Sequence, residues 1–177
     1  MKKILLAASL VLAGNTLVST MSPPIEVQAK SAFTKKDVDA IKKGKFVHAK
    51  GRIGTSKEKL IEKKVKKGGY YSGLNFIQKY DVDLTIVYTL SLYNISTSKV
   101  ETFDTVQFIT AEYDGKIDAS IFKKYFKRAK KYDMPYQNII AYKVGEKYLL
   151  HYKNYNSTQL QIFKNENALK RFHSNAG

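Results

Sequence analysis

Apolar and polar positions shift period repeatedly along this chain, and each shift marks a predicted element. Thr34-Lys35-Lys36-Asp37 reads as a capping box ahead of Val38 and Ile41, with Gly44 placed to end the turn, so a short helix is predicted over 35–43. From 45 to 53, Phe46, His48, Lys50 and Arg52 alternate with Val47, Ala49, Gly51 and Ile53, the period of a strand with one buried side. Thr55-Ser56-Lys57-Glu58 repeats the capping pattern. Leu60, Ile61 and Val65 then give a narrow apolar stripe that Gly68-Gly69 ends, which predicts a second helix.

From Tyr70 the period becomes two. Segments 70–80, 83–93 and 99–113 are rich in β-branched and aromatic residues and are separated by polar turns at 78–83 and 94–98. They predict a three-stranded antiparallel meander with 84–92 at its centre, closed by Asp114-Gly115. Asp118 caps a third helix in which Ile121, Phe122, Tyr125, Phe126 and Ala129 share a face, and Pro135 stops it. Segments 139–144 and 148–152 flank Gly145-Glu146-Lys147 as a hairpin, 159–163 adds a strand, and 165–173 is a terminal helix. With no repeat and no long linker, the order of elements predicts one α+β domain over 30–177, an antiparallel sheet with helices packed on one face. Cystatin-like and NTF2-like wrapped sheets are the analogous arrangements.

The residues before that domain carry a different pattern. Lys2 and Lys3, an apolar run from Ile4 to Ala13, and Val27-Gln28-Ala29 are the parts of a secretory leader over 1–29. The run of 10 residues is half of the roughly 20 that a membrane-crossing helix needs. An uncleaved anchor over 5–18 is the competing reading, against which Asn15, Thr16 and Pro23-Pro24 count. The expectation is a secreted product, extracellular or associated with the cell wall, with no stable membrane insertion.

The chain has no Cys and no Trp, which excludes a disulfide scaffold, a thiolate metal site and a Cys nucleophile. An exported domain without disulfides must be held by its core and its backbone pairing. Phe and Tyr supply that core. The absence of Cys, the bias to Lys over Arg and the many Asn and Tyr residues resemble small secreted proteins of low-GC Gram-positive bacteria, staphylococci among them. That style implies an exoprotein, with host interaction, virulence or immune evasion as its setting, and no functional residue follows from it.

Charge is segregated. Segment 30–67 carries a net +10, segment 68–118 a net −4 and segment 119–177 a net +9. Two clusters stand out, Lys57, Lys59, Lys63, Lys64, Lys66 and Lys67 on the second predicted helix, and Lys123, Lys124, Lys127, Arg128, Lys130 and Lys131 on the third. A solvated face that keeps an exported protein soluble, a polyanion-binding face and a membrane-lying amphipathic helix are the three readings of such clusters. Tyr70 and Tyr71 follow the first cluster and place aromatics beside cations, as single-strand nucleic-acid binders do, although tyrosines at a strand start also serve as packing.

No reaction is named by the remaining chemistry. His48, His151 and His173 fall in no metal-ligand spacing, and His48 and His151 read as ordinary strand histidines. Asp81 with Asp83, and Asp114 with Asp118, read as turn and cap residues rather than cation ligands. The expectation is a non-enzymatic binding protein without cofactor or metal, engaging a host protein or an anionic polymer such as teichoic acid, a glycan or DNA. The alternative is a cell-wall-associated hydrolase or hydrolase inhibitor.

Overall fold

A computed structural model describes residues 33–68, 73–81, 84–94 and 97–173. The expected leader over 1–29, Tyr70, Tyr71 and Asp83 lie outside the described residues, as do the side chains of Asp81 and His173. In chain order the elements are α1 (Lys35–Lys42), α2 (Lys57–Glu62), β1 (Lys66–Lys67), β2 (Asn75–Asp81), β3 (Leu84–Thr89), β4 (Ser91–Asn94) and β5 (Lys99–Thr102). Then follow β6 (Phe108–Asp114), α3 (Ala119–Tyr125), β7 (Lys127–Arg128), β8 (Ile139–Val144), β9 (Lys147–Lys153), β10 (Ser157–Phe163) and α4 (Glu166–His173).

Eight strands form one antiparallel sheet in the order β1-β2-β3-β6-β10-β9-β8-β7, and β4 pairs with β5 as a separate ribbon. The ladder sorts side chains into two rows of opposite facing, because successive residues of a strand point to opposite sides. Tyr88, Ile109, Ile162, Leu149 and Tyr142 stand in register across β3, β6, β10, β9 and β8 on one face. Phe108, Phe163 and Tyr148 stand in register on the other. Val38 and Ile41 of α1, Phe46, Leu60 of α2, and Phe122 and Phe126 complete the first core. Ala168 and Leu169 of α4, with Leu92, Tyr132 and Met134, complete the second.

The mixed α+β architecture is therefore present, with α1, α2 and α3 on one side of the sheet and α4 with the β4–β5 ribbon on the other. The second face needs its own cover because Phe108, Ala141, Tyr148, Leu150 and Phe163 make it apolar too.

Several elements differ from the sequence expectation, each for a local reason. Segment 45–53 is not a strand. Its backbone bends through turns, and its polar groups are met by side chains from the sheet: Gln78 Oε1 accepts from Lys50 N at 2.9 Å, Gln78 Nε2 donates to His48 O at 2.7 Å, and Gly51 N donates to the Tyr88 hydroxyl at 3.2 Å. Gly51 gives this approach its room, since a Cβ would lie 2.8 Å from Leu60 Cδ2 and 3.1 Å from Tyr88 Cε1, and one of them would have to shift.

The second helix stops at Glu62 rather than at Gly68. Lys64 takes a left-handed φ of 56°, and Val65 N returns to Leu60 O at 3.0 Å, which turns Val65 into the core and sends Lys66 and Lys67 into β1. The third helix stops at Tyr125. Phe126 is extended, β7 pairs with Lys143 and Tyr142, and residues 130–132 form a 3₁₀ turn. A helix through 131 would have stacked its lysines at i,i+4 spacing, an unfavourable arrangement that the strand avoids. The third strand of the meander splits into β5 and β6 at Phe103–Gln107, because Phe103 N bonds to Leu90 O and Gln107 N to Thr89 O on the way. The hairpin of β8 and β9, β10, α1 and α4 fall within a residue or two of their expected bounds.

Candidate functional site

The two lysine clusters read from the sequence are each spread over several elements. Lys57 and Lys59 lie on α2, Lys63 and Lys64 in the turn after it, and Lys66 and Lys67 in β1. Lys123 and Lys124 lie on α3, Lys127 and Arg128 in β7, and Lys130 and Lys131 in the 3₁₀ turn. β1 and β7 are opposite edges of the sheet, roughly 34 Å apart along it at about 4.8 Å per strand. The clusters thus divide into a first region around α2 and β1 and a second around α3, β7 and the 3₁₀ turn.

Within the second region several cations are already engaged. Arg128 Nε and Nη2 hold Asp133 Oδ2 at 2.8 and 2.7 Å, while Asp133 Oδ1 accepts from Ala141 N at 2.9 Å. Lys131 Nζ lies 2.7 Å from Glu166 Oε1 and 4.7 Å from the centre of the Tyr132 ring. Glu166 also accepts from the Tyr132 hydroxyl and faces Lys170 at 3.5 Å. Hydrogen bonds from Lys131 and Tyr132 hold the Glu166 carboxyl down at about 2, and the same bond with Glu166 raises the Lys131 ammonium. These groups fasten α4 to the 130–132 turn.

The first region contains a built depression. Lys59 and Lys63 line it together with Lys45, Lys50 and Arg52, around a volume of about 290 Å³. Lys50 and Lys63 brace each other: Lys63 Nζ donates to Lys50 O at 2.7 Å, and Lys50 Nζ to Lys63 O at 3.1 Å. Beneath them the Tyr88 hydroxyl donates to Gln78 Oε1 at 2.6 Å, and burial pushes that phenol up to about 12, so it stays a neutral support for the loop.

A second depression of about 320 Å³ is lined by Lys42, Lys127, Lys143 and Lys147 beside Tyr125 and Phe126. Segment 42–45 separates the two. Gly44, at a φ of +73°, lies against Lys147, whose Cε would sit 2.8 Å from a Cβ at that position. Among the described residues, nine cations thus line two depressions on either side of one turn, and no carboxylate lines either. Outside the depressions, Asp39 Oδ1 lies 4.0 Å from Lys42 Nζ. Of these nine, the sequence singled out Lys59, Lys63 and Lys127. Lys45, Lys50 and Arg52 were hidden in an apparent strand, and Lys143 and Lys147 in a hairpin distant in sequence; the net +10 of segment 30–67 was the one available signal.

A further cavity of about 630 Å³ lies at the other end of β9 from Lys147, between β9, β10 and segment 116–119. His151 lines it, fully buried, with neither ring nitrogen bonded to a protein group among the described residues. Phe122 packs against the imidazole at 5.0 Å between ring centres. Burial, then the charge of Lys153, lowers His151 to about 4, with Asp118 opposing. Asp118 itself caps α3 as expected, accepting from Ser120 N at 2.8 Å and Ser120 Oγ at 2.7 Å, and those bonds hold its carboxyl below the usual range. Thr158 Oγ1 shapes the wall by accepting from Ile117 N at 2.9 Å and donating to Gly115 O at 3.0 Å. His48, in contrast, sits in a turn and stacks on Tyr80 at 3.9 Å.

No group of three or more His, Asp or Glu among the described residues is placed to hold a metal ion. No helix among them is long and apolar enough to cross a membrane. Comparison with known proteins finds no matching family model, no matching curated protein and no matching solved structure.

Proposed function

We propose that this chain is a secreted, non-enzymatic binding protein that engages a host or cell-surface macromolecule through a lysine-rich surface, and that the surface is the nine-cation tract on either side of segment 42–45. Its ligand is a linear anionic polymer: teichoic acid, a sulfated glycan or DNA. The observation that carries the reading is the gathering of eight lysines and one arginine from α1, α2 and the turn after it, β7, β8, β9 and the 45–55 loop into adjoining depressions with no carboxylate among the described lining residues. Like charges repel, so such convergence from distant parts of the chain is favoured by an anion that neutralises it. Lysine is a compact point charge without the planar fork of arginine, which suits attraction to a repeating charge more than stereospecific reading of one group.

Salt dependence tests it. Binding to duplex DNA as probe should fall linearly in log–log form as salt rises, by counter-ion release. Lys45→Gln and Lys59→Gln should each lower the slope by about 0.9 for every phosphate contact removed, while Lys131→Gln, engaged with Glu166, leaves it unchanged. Heparin and purified teichoic acid in the same assay identify the preferred polymer. Retention that does not change between low and physiological salt overturns the reading, as does a stoichiometric protein partner from serum that survives high salt.

A further inference from the structure

Resting on the polyanion reading above, we infer that the polymer taken by the cationic tract is a single-stranded nucleic acid. Its phosphates lie in the depression around Lys50 and Lys63, and one unstacked base lies against Tyr125 in the other.

The two depressions differ in kind. Between its five cations the first offers only Ala49, Gly51, Gly54 and Thr55, small residues with no ring to receive an apolar group. The second sets its four lysines around Tyr125, Phe126 and Val144. Phe126 and Val144 are buried in the core, whereas Tyr125, the last residue of α3, is only partly buried. Gly145 lines the same depression, and open space lies where its Cβ would be. Lys124 Nζ stands 5.6 Å from the centre of the Tyr125 ring, a cation within reach of a flanking phosphate. A polymer that suits both depressions carries a regular charge and an apolar flat group on the same units. A nucleic acid strand has both, since its bases stack on aromatic side chains while lysines track its backbone. A teichoic acid offers phosphates and hydroxyls without a planar face, and a sulfated glycan surrounds its rings with charge. Pairing holds the bases of a duplex inside the helix, so the arrangement selects an unpaired strand. Lys42 lines one depression and Lys45, on the same turn, lines the other, so neighbouring units of one strand reach both.

The test compares two end-labelled oligomers of about 12 nucleotides, within the site sizes of single-strand binders, by fluorescence anisotropy across a salt series. One is oligothymidylate, and the other is an abasic strand of the same length and charge. Both should show the same salt slope, because the slope counts neutralised phosphates. Oligothymidylate should bind about tenfold more tightly at every salt concentration, as expected for one stacked base. Tyr125→Leu keeps an apolar side chain at the end of α3 but removes the ring, so it should erase that advantage and leave abasic binding as it was. Tyr125→Phe keeps the ring and should keep the advantage. Equal binding of the two oligomers by the wild-type chain, or an advantage that survives in Tyr125→Leu, overturns the base contact while the polyanion reading stands. Absence of salt-dependent binding to both oligomers overturns the two readings together. Displacement of oligothymidylate by teichoic acid or heparin at a lower concentration of charged groups assigns the tract to that polymer and overturns the inference.

Discussion

Replacing His151 by leucine should make the protein more stable, and more so as the solution is acidified. The imidazole is fully buried, Phe122 lies against one side, and its nitrogens meet no protein group among the described residues. A buried polar group without a partner costs about 1–3 kcal/mol. Leucine has nearly the same volume and no polar atom, so a gain of about 1–2 kcal/mol is expected at pH 7, or about 3–4 °C in Tm per kcal/mol for a domain of this size. The acid limb is larger. Burial sets the folded-state value at about 4 against 6.5 unfolded. Between those values the unfolded chain binds the extra proton, so native stability falls as pH drops from 6.5 towards 4, by about 3 kcal/mol in all. Lys153 and Asp118 are the charges facing the ring, with opposite effects, and the Tyr142 hydroxyl nearby is itself raised by burial and stays neutral. Urea denaturation of both proteins at pH 7 and at pH 4.5 measures the difference directly, since contributions from the carboxylates cancel between them. A variant no more stable at pH 7, or a stability difference that stays flat on acidification, would refute the reasoning.

Other substitutions probe the loop beneath the cationic depression, the core around Phe122 and the anchor of α4. Gly51→Ala forces a methyl against Leu60 and Tyr88 and should cost about 1–3 kcal/mol in urea denaturation, while weakening polyanion retention because the same loop carries Lys50 and Arg52. Phe122→Ala removes the ring that contacts Phe33, Tyr142 and His151, and should cost about 3–5 kcal/mol. Glu166→Gln should speed hydrogen exchange in α4. Because the Glu166 carboxyl is held at about 2, its contribution is present above the ordinary carboxylate value of 4.5 and lost as pH falls towards 2, so wild type and variant should converge in acid.

The elements that matched expectation are those whose signals are local. The Thr34–Asp37 box starts α1: Thr34 N donates to Asp37 Oδ2 at 2.8 Å. Asp118 caps α3, and Gly145, at a φ of 64°, turns β8 into β9. Overextension of α2 and α3 has a common cause. Lysine is a good helix former, so runs such as 63–67 and 127–131 lengthen a helical pattern. The competing backbone bonds come from β2 and β8, which neither run reveals. Segment 45–53 erred the other way: its alternation is real, yet Gln78 and Tyr88 satisfy it from 30 or so residues away in place of a strand partner. The site followed the same rule. Lys59 and Lys63 were legible because they are close together in sequence, whereas Lys42, Lys143 and Lys147 join them only through the fold.

Net charge is therefore a poor guide to where the proposed anion would bind this chain, because its cations are divided between several structural settings. Lys66 and Lys67 form β1 and Lys127 and Arg128 form β7, the two outermost strands of the sheet, each only two residues long and exposed. Short strands bearing positive charge oppose edge-to-edge pairing with a second copy, which would otherwise threaten a large sheet with open ends and no disulfide to hold it. Arg128 and Lys131 also fasten internal segments through Asp133 and Glu166. Lys45, Lys50, Arg52, Lys59 and Lys63 are different in kind: they converge on one volume, and Lys50 and Lys63 are held there by backbone carbonyls rather than by carboxylates. A carbonyl fixes an ammonium group without cancelling its charge. That leaves the full attraction for a ligand, and it is why this depression, rather than the longest lysine run in the sequence, is the expected anchor of the proposed nine-cation tract.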